Sequence, residues 1–476
     1  MNHSVASSAH DRTTAPAGPA RDRFGARFST PLTLGTILNP VNSSIIATAL
    51  VPIAASLGVP VARTAILISA LYLTSAIAQP TAGRLAEQFG ARRVFVVGTT
   101  AVLIGGIVGL VATNIPTLTV SRVLIGLGTS AAYPSAMLLI RHRASNEGMT
   151  GPPTLILGRI AVISAAIMAF GPTLGGLLVE GLGWRAAFAV NLPLATITLS
   201  MAMLWLPKDP PRRRGRSARD VVADIDLLGL LLFAAMMTTL LVFLMGLPEI
   251  DGTGLAIAVV LAALLAAWEL RSSNPFIDLR LLCTNGALSR TYLRNALSLV
   301  GTYSVLFGLT QWLQSSRGLS PLEAGMVLMP MGILSGTAAF IVSRRATIRW
   351  PLIASSCLLT LGALSLTLLS QDTPLPVLLI VVATFGLMGG SSNVGNQTAL
   401  YREAPARTLG TAAGLLRTCG YLGSIGASTV CAIAFRTEVS DQGLHHVGYV
   451  LMGVGALLLL PLTLLDRRLR SEDASA

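Results

Sequence analysis

The stretch GRLAEQFGARR, residues 83–93, separates two long apolar runs, 64–83 and 94–121. Gly83 and Gly90 allow a tight turn and a close approach of two helices. Glu87 can pair with Arg92 or Arg93, or cap a helix N-terminus. A loop that only fixed topology would need Arg84, Arg92 and Arg93, but not glycines and an acid at this spacing. The stretch reads as a working hinge between two helices, and the flanking runs decide what kind of helices they are.

About 20 consecutive apolar residues cross a bilayer as a helix. Stretches free of Asp, Glu, Lys and Arg and long enough to do so are 28–62, 64–83, 94–121, 123–140, 160–179, 186–207, 227–248, 252–268, 295–316, 324–343, 350–371, 373–401, 418–435 and 442–465, which makes 14 expected spans. Composition agrees: 53% of the 476 residues are hydrophobic and 12% charged. Mean hydropathy is +0.70. A soluble chain of this length needs more charge on its surface. The 46 glycines suit close helix packing in lipid.

The net charge of +13 comes from 33 arginines and a single lysine, Lys208. With both termini in the cytoplasm, all the basic residues except Arg63, Arg122, Arg185, Arg317 and Arg436 fall on the cytoplasmic side. That bias is the positive-inside pattern, and the alternation would fail beyond any miscounted span. The first span is too long for a cleavable signal and lacks a small-residue cleavage site, so a retained signal anchor is expected. Cys283, Cys357, Cys419 and Cys431 form no CxxC pair and read as packing residues, not disulfides or metal ligands.

KDPPRRRGRSARD, 208–220, is the most basic run and reads as a cytoplasmic linker touching anionic headgroups, not as a nucleic-acid site. It divides the chain. LGVPVARTAILIS…TAGR ends at Arg84, and RGLSPLEAGMVLM…IVSR ends at Arg344, 260 residues later. Both begin outside with a Gly-aliphatic-x-Pro turn, so the halves are parallel repeats. The expected division is 1–27 a disordered cytoplasmic tail, 28–207 a six-helix bundle, 208–225 the linker, 226–270 two inserted helices, 271–466 a second six-helix bundle and 467–476 a tail.

Several spans carry groups that lipid does not favour. Arg122 lies about six residues inside its span, roughly 9 Å deep at 1.5 Å per residue, and should face the bundle interior or a wet cavity rather than snorkel outward. GPTLGG, 171–176, combines Pro172, which removes a helix hydrogen bond, with a Gly171–Gly175 face for close packing. In the first span Asn39, Asn42, Ser43 and Ser44 can bond a substrate or a neighbouring helix. Gln311 and Trp312, then Asn393, Asn396 and Gln397, and then Arg417 form a matching polar set in the second half, suited to an apolar organic ligand at the midplane. All acids and all five histidines sit at span ends, in loops or in tails.

The 83–93 loop resembles the G-x-L-a-D-r-x-G-r-R signature of the major facilitator superfamily. LTVSRVLIGLG resembles its span 4 motif, and GPTLGG the span 5 motif of its antiporters. With 14 spans the chain is similar throughout to the 14-span drug:proton antiporter subfamily, and GWRAAFAVNLPLA, NPFIDLRLL and GLSPLEAGMVLMP agree with that. The resemblance implies an all-α major facilitator fold: two parallel six-helix repeats with two inserted helices. It implies Gly83, Arg84, Glu87, Gly90, Arg92 and Arg93 as the gating loop. Arg122 would be the cavity or proton-relay arginine; Arg417, read from its own depth in span 13 and not from the resemblance, is expected as a second cavity arginine. Gly171, Pro172, Gly175 and Gly176 would form the antiporter helix.

The pattern departs at three positions. Glu87 stands for the usual Asp, Ile125 for the usual Gln, and Asn42 for the acid of span 1. The expected function is secondary active export of a small organic molecule, a drug, antibiotic or metabolite, across the cytoplasmic (inner) membrane by alternating access. Protons are the expected coupling ion. An uptake carrier of the same fold and a transport-dead membrane sensor are the alternatives. With arginine but no acid at depth, neutral or acidic substrates should be preferred over permanent cations. The expected partners are that substrate, protons and the bilayer, with no nucleic acid, for a monomer. No enzymatic activity, catalytic residue, metal or cofactor is expected; a Walker A loop needs Gly-Lys-Ser/Thr, and the only lysine precedes Asp-Pro.

Overall fold

Lipid offers no partner for backbone N–H and C=O groups, so a spanning segment must satisfy them within itself. In the computed structural model each apolar run accordingly holds a helix among the described residues. The structure describes residues 24–147, 154–209, 226–246, 252–272, 275–277, 279–344, 348–404 and 409–466. Most of both expected tails and of the basic linker therefore lies outside the described residues.

The helices are α1 Ala26–Leu57, α2 Ala65–Phe89, α3 Ala91–Leu110, α4 Ile115–Asn146, α5 Thr154–Leu182 and α6 Ala186–Trp205. Next come α7 Leu227–Gly246 and α8 Gly252–Glu269. Then follow α9 Gly286–Ser315, α10 Pro321–Ser343, α11 Arg349–Leu366, α12 Leu375–Glu403, α13 Leu409–Ala434 and α14 Asp441–Leu464. Among the described residues twelve helices are long and apolar enough to cross a membrane. The two beyond those twelve are α7, whose apolar run is Leu227–Phe243, and α13, which carries Arg417 and several glycines.

Local chemistry sets the ends. Asn114 caps α4 by accepting from the Thr117 N–H at 2.9 Å. Ser320 and Glu323 form a reciprocal capping box on α10. Inside the spans, Ser and Thr hydroxyls bond their own helix three or four residues back, as Thr33 does to Ser29 and Ser44 to Pro40. This is how a helix as polar as α1 stays buried.

The packing repeats. α3 packs on α4, α2 on α4 and α1 on α5; in the second half α11 packs on α12, α10 on α12 and α9 on α13. The halves meet crosswise, α5 on α10 and α2 on α13. α7 and α8 pack on each other, and α7 also touches α2 and α13. Much of α8 is uncovered, with Ile257, Val259, Val260 and Leu264 exposed, as a lipid-facing helix requires. We call the end carrying Arg84, Arg92 and Arg93 the arginine-rich end, and the other the far end.

Candidate functional site

At the far end the halves are joined almost atom to atom. A Cβ on Gly176 would collide with the backbone of Pro321 and Leu322, and one on Gly325 with Pro172. The Thr173 hydroxyl donates to the Gly325 carbonyl at 3.0 Å. The Glu180 carboxylate accepts from the Leu322 N–H at the start of α10, 3.2 Å away. Gln314 donates to the Thr48 carbonyl at 3.2 Å, and Ser69 and Ser428 share a hydrogen bond of 2.7 Å. The GPTLGG segment has two faces. Gly171 and Gly175 lie on α1, against Ser44, Ile45 and Thr48, while Pro172 and Gly176 lie on α10.

Between the halves sits an aromatic cluster that sequence patterning does not reveal. Tyr72 of α2 meets Tyr303 of α9 edge-on at 5.4 Å and stacks on Tyr421 of α13 at 5.8 Å. Tyr303 stacks on Phe307 at 5.5 Å, where α9 widens into a π-turn over Val305–Leu309. Such turns concentrate at functional positions. The Tyr421 hydroxyl donates to Gln79 at 2.6 Å, from one half to the other. The Tyr72 and Ser43 hydroxyls are buried without a hydrogen-bond partner. Toward the arginine-rich end the Arg417 guanidinium lies 3.7 Å over the Tyr133 ring and stays exposed. Asn393 and Gln397 are exposed too, and Asn39 is half-buried, bonding Thr129 at 3.3 Å. The exposed polar residues of this region, Arg417, Asn393 and Gln397, thus lie toward the arginine-rich end.

Other residues expected here are used differently. Arg122 is 2% exposed, so it does not snorkel; it donates to the carbonyls of Leu67 at 3.0 Å and Asn42 at 3.3 Å. The Asn42 side chain is closed in a reciprocal amide pair with Asn191 of α6, at 2.7 and 3.0 Å. It holds two helices together and is not free for a ligand. Trp312 is fully buried with its indole N–H on Asp441 at 2.8 Å, and Gln311 is buried beside it. Asn396 is buried and bonds Ser392 at 3.0 Å. These were expected in the cavity because polar side chains in a span look functional; here Asn42 and Trp312 bond neighbouring helices, while Asn396 bonds its own helix and leaves its Oδ1 buried without a partner.

The 83–93 loop is tied by an acid outside it. Asp209, beyond the end of α6, accepts from the N–H groups of Arg92 at 3.0 Å and Arg93 at 2.9 Å, capping α3. Gly90, at φ +102°, leaves room for that carboxylate. Arg92 returns the contact by donating to the Met203 carbonyl at 2.6 Å. Glu87 is exposed and pairs with neither arginine. Asp209 was legible only as part of a basic linker, because the contact spans more than a hundred residues.

A second ionic clamp lies in the other half at the same end. Arg294, fully buried, meets Asp466 at 2.9 Å and Glu403 at 3.8 Å, and Arg290 meets Asp466 at 2.9 Å. Burial works against ionisation of Asp466, but the bonds from Arg290 and Arg294 outweigh it and hold its carboxyl below the ordinary aspartate value.

Two crosswise-packed bundles of membrane-length helices, with buried polar and aromatic groups between them, have the build of a membrane transporter. The chain belongs to the Major Facilitator Superfamily, whose family model matches residues 32–428. It is 32% identical to the MFS-type transporter YwoD of Bacillus subtilis, over 91% of this chain and 96% of that one. It is 26% identical to the methylenomycin A resistance protein of Streptomyces coelicolor, over 93% and 92%. Among solved structures, a POT family transporter in complex with 5-aminolevulinic acid superposes with a TM-score of 0.67 at 12% identity, covering 93% of this chain and 97% of that one. That likeness shows the fold.

Proposed function

We propose that this transporter exports neutral or acidic aromatic organic molecules across the cytoplasmic membrane in exchange for protons, with 14 spans and both termini inside. The observation that carries the reading is the tyrosine cluster Tyr72–Tyr303–Tyr421 between the halves, with Arg417 exposed toward the arginine-rich end. Stacked rings hold a flat apolar body, each aromatic pair contributing about 0.5–1.5 kcal/mol, and a guanidinium favours a neutral or anionic substituent. Among the described residues every Asp and Glu lies near a helix end or in a loop, so no carboxylate is on hand at mid-depth for a permanent cation.

In this reading 28–207 and 271–466 are the rocking bundles, and 226–270 is the inserted pair that includes α7. Residues 83–93 are the gate at the arginine-rich end, and GPTLGG is the far-side joint. Arg122 keeps α1, α2 and α4 in register instead of relaying protons. Asn39, Ser43, Asn393 and Gln397 are the polar contacts; Asn42, Gln311, Trp312 and Asn396 are scaffold. The resistance named for the Streptomyces coelicolor relative supports export. The test is efflux from everted membrane vesicles energised with a pH gradient, comparing ethidium with an uncharged aromatic antibiotic. Accumulation of the antibiotic with little ethidium is expected. Strong ethidium movement with no antibiotic movement would remove the charge preference, and uptake in the reverse sense would remove export.

A further inference from the structure

The inserted pair carries a buried acid that the transport path does not use. Asp226 stands at the start of α7 with φ +52°, a left-handed conformation that a non-glycine residue holds only when its surroundings demand it. Three donors do so. Asp226 Oδ1 accepts from the Gly229 N–H at 3.1 Å and the Trp268 indole at 2.7 Å, and Oδ2 accepts from the Phe276 N–H at 2.9 Å. Glu269, the last residue of α8, lies opposite. It is 0% exposed, and neither of its carboxylate oxygens has a hydrogen-bond partner. Both carboxylates face Gly229, where an added Cβ would lie 2.5 Å from Asp226 Oδ2 and 2.7 Å from Glu269 Oε1.

The charged groups facing Glu269 are Asp226 from α7 and Arg84 from α2. Arg84 opens the gating loop and donates to the Pro275 carbonyl at 2.7 Å, one residue from the Phe276 that bonds Asp226. Arg280 donates to the Leu270 carbonyl, next in sequence to Glu269, at 3.2 Å. Phe276 also packs with Phe233, Leu265 and Ala76, and Tyr421 of the central cluster rests against this group. The acid pair is thus in contact with the gate on one side and the substrate site on the other.

Two carboxylates this close, out of water, resist carrying charge together, so one of them binds a proton more tightly than it would alone. Asp226 is held by three close donors, whereas Glu269 has only the backbone of Ile277 and Phe276 and the charge of Arg84 near it, against full burial. We propose that Glu269, held against Asp226 at the foot of the inserted pair, is a proton-binding site that drives the gating loop through Arg84. With the proton on a Glu269 oxygen the site carries one negative charge, and Arg84 stays on the Pro275 carbonyl. When the proton leaves to water, the second anion draws Arg84 off that carbonyl and moves the start of the 83–93 loop. The coupling to export rests on the antiport reading above; the proton site does not.

The experiment uses the full-length protein in lipid nanodiscs. Infrared difference spectra between mildly acid and alkaline buffer, in H2O and D2O, should contain a protonated-carboxyl band that disappears in Glu269→Gln and persists in Glu87→Gln. In Asp226→Asn the like-charged neighbour is gone and the band should weaken. Glu269→Gln mimics the protonated form, so it should fold and exchange substrate at equal pH within twofold of wild type. Its efflux driven by a pH gradient should fall at least tenfold. A wild-type spectrum with no band sensitive to Glu269→Gln overturns the site. A sensitive band with undiminished gradient-driven efflux in Glu269→Gln overturns its coupling. A sensitive band in a protein that moves no substrate at all counts against the export reading and leaves the proton site standing.

Discussion

The two ends of this transporter are held by different chemistry. At the far end the halves touch each other through backbone: Gly176 on Pro321, Gly325 on Pro172, and the Glu180 carboxylate on the Leu322 N–H. At the arginine-rich end each half is instead clamped to itself, by Asp209 on α3 in the first and by Asp466 under Arg290 and Arg294 in the second. The cross-half contacts there, Arg417 on Tyr133 and Arg84 on Pro275, involve flexible side chains. The proposed rocking of the two bundles needs this division. Bodies that move must be rigid within themselves, and the joint between them must break without leaving buried charge.

The largest effect should come from breaking a clamp. Asp466→Asn leaves fully buried Arg294 without its nearest anion, and removing one member of a buried pair costs about 3–5 kcal/mol. Thermal unfolding of the purified variant should shift down by several degrees. The pH dependence has a definite sign. The carboxyl lies below its ordinary value, so its contribution is present above that value and is lost as pH falls through the folded one. Wild-type stability should drop at acid pH, and the variant should show a shallower drop. Equal slopes would mean the clamp is not what holds that end.

Next is the joint. Gly176→Leu puts a side chain into the Pro321 and Leu322 backbone, so the far end cannot seal. Efflux should fall at least tenfold, about 1.4 kcal/mol or more in the transport barrier, with insertion and thermal stability close to wild type. An active Gly176→Leu protein would place the seal elsewhere. Gly175→Leu should also stop transport but by a different route, because Gly175 faces α1 of its own half. That variant should lose stability as well as flux, which separates the body from the joint.

Arg417→Gln should act more mildly, since Arg417 is an exposed side chain over a ring and not part of a seal. Efflux of an acidic aromatic substrate should fall by roughly three- to tenfold, the size of one modest charge contact of about 1 kcal/mol. An uncharged substrate should be less affected. Equal losses for both would make Arg417 a gate residue and not a selectivity residue.

Legibility differed along the same line. Helices, the repeat and the glycine joint were readable because apolar length, register and small residues are local signals. The sites were less legible because they are set by partners far along the chain. Asn42 reads as a cavity amide in the sequence, but its side chain pairs reciprocally with Asn191, 149 residues away, and also bonds Leu38 of its own helix. Tyr72, Tyr303 and Tyr421 are single aromatics on three helices, and nothing in the spacing says that they meet. Composition offered one usable signal: the chain has only seven tyrosines, and four of them, counting Tyr133, lie between the halves.

The smallest effect is expected at the residue that the sequence pattern marks most strongly. Glu87 sits in the 83–93 loop at the position of the family's acid, yet it is exposed and pairs with neither Arg92 nor Arg93. An exposed carboxylate without a fixed partner contributes at most about 1 kcal/mol. Glu87→Gln should therefore leave efflux within about twofold of wild type. Asp209→Ala removes both acceptors from the start of α3, and loss of a helix cap costs about 0.5–2 kcal/mol. Its efflux should fall further than that of Glu87→Gln, and Gly90→Ala should resemble it, since a side chain there meets the Asp209 carboxylate and must adopt φ +102°. The three variants measured side by side decide which acid organises the loop. If Glu87→Gln is the most impaired, the cap on α3 is incidental, and Glu87 finds its partner only when the halves close on the arginine-rich side.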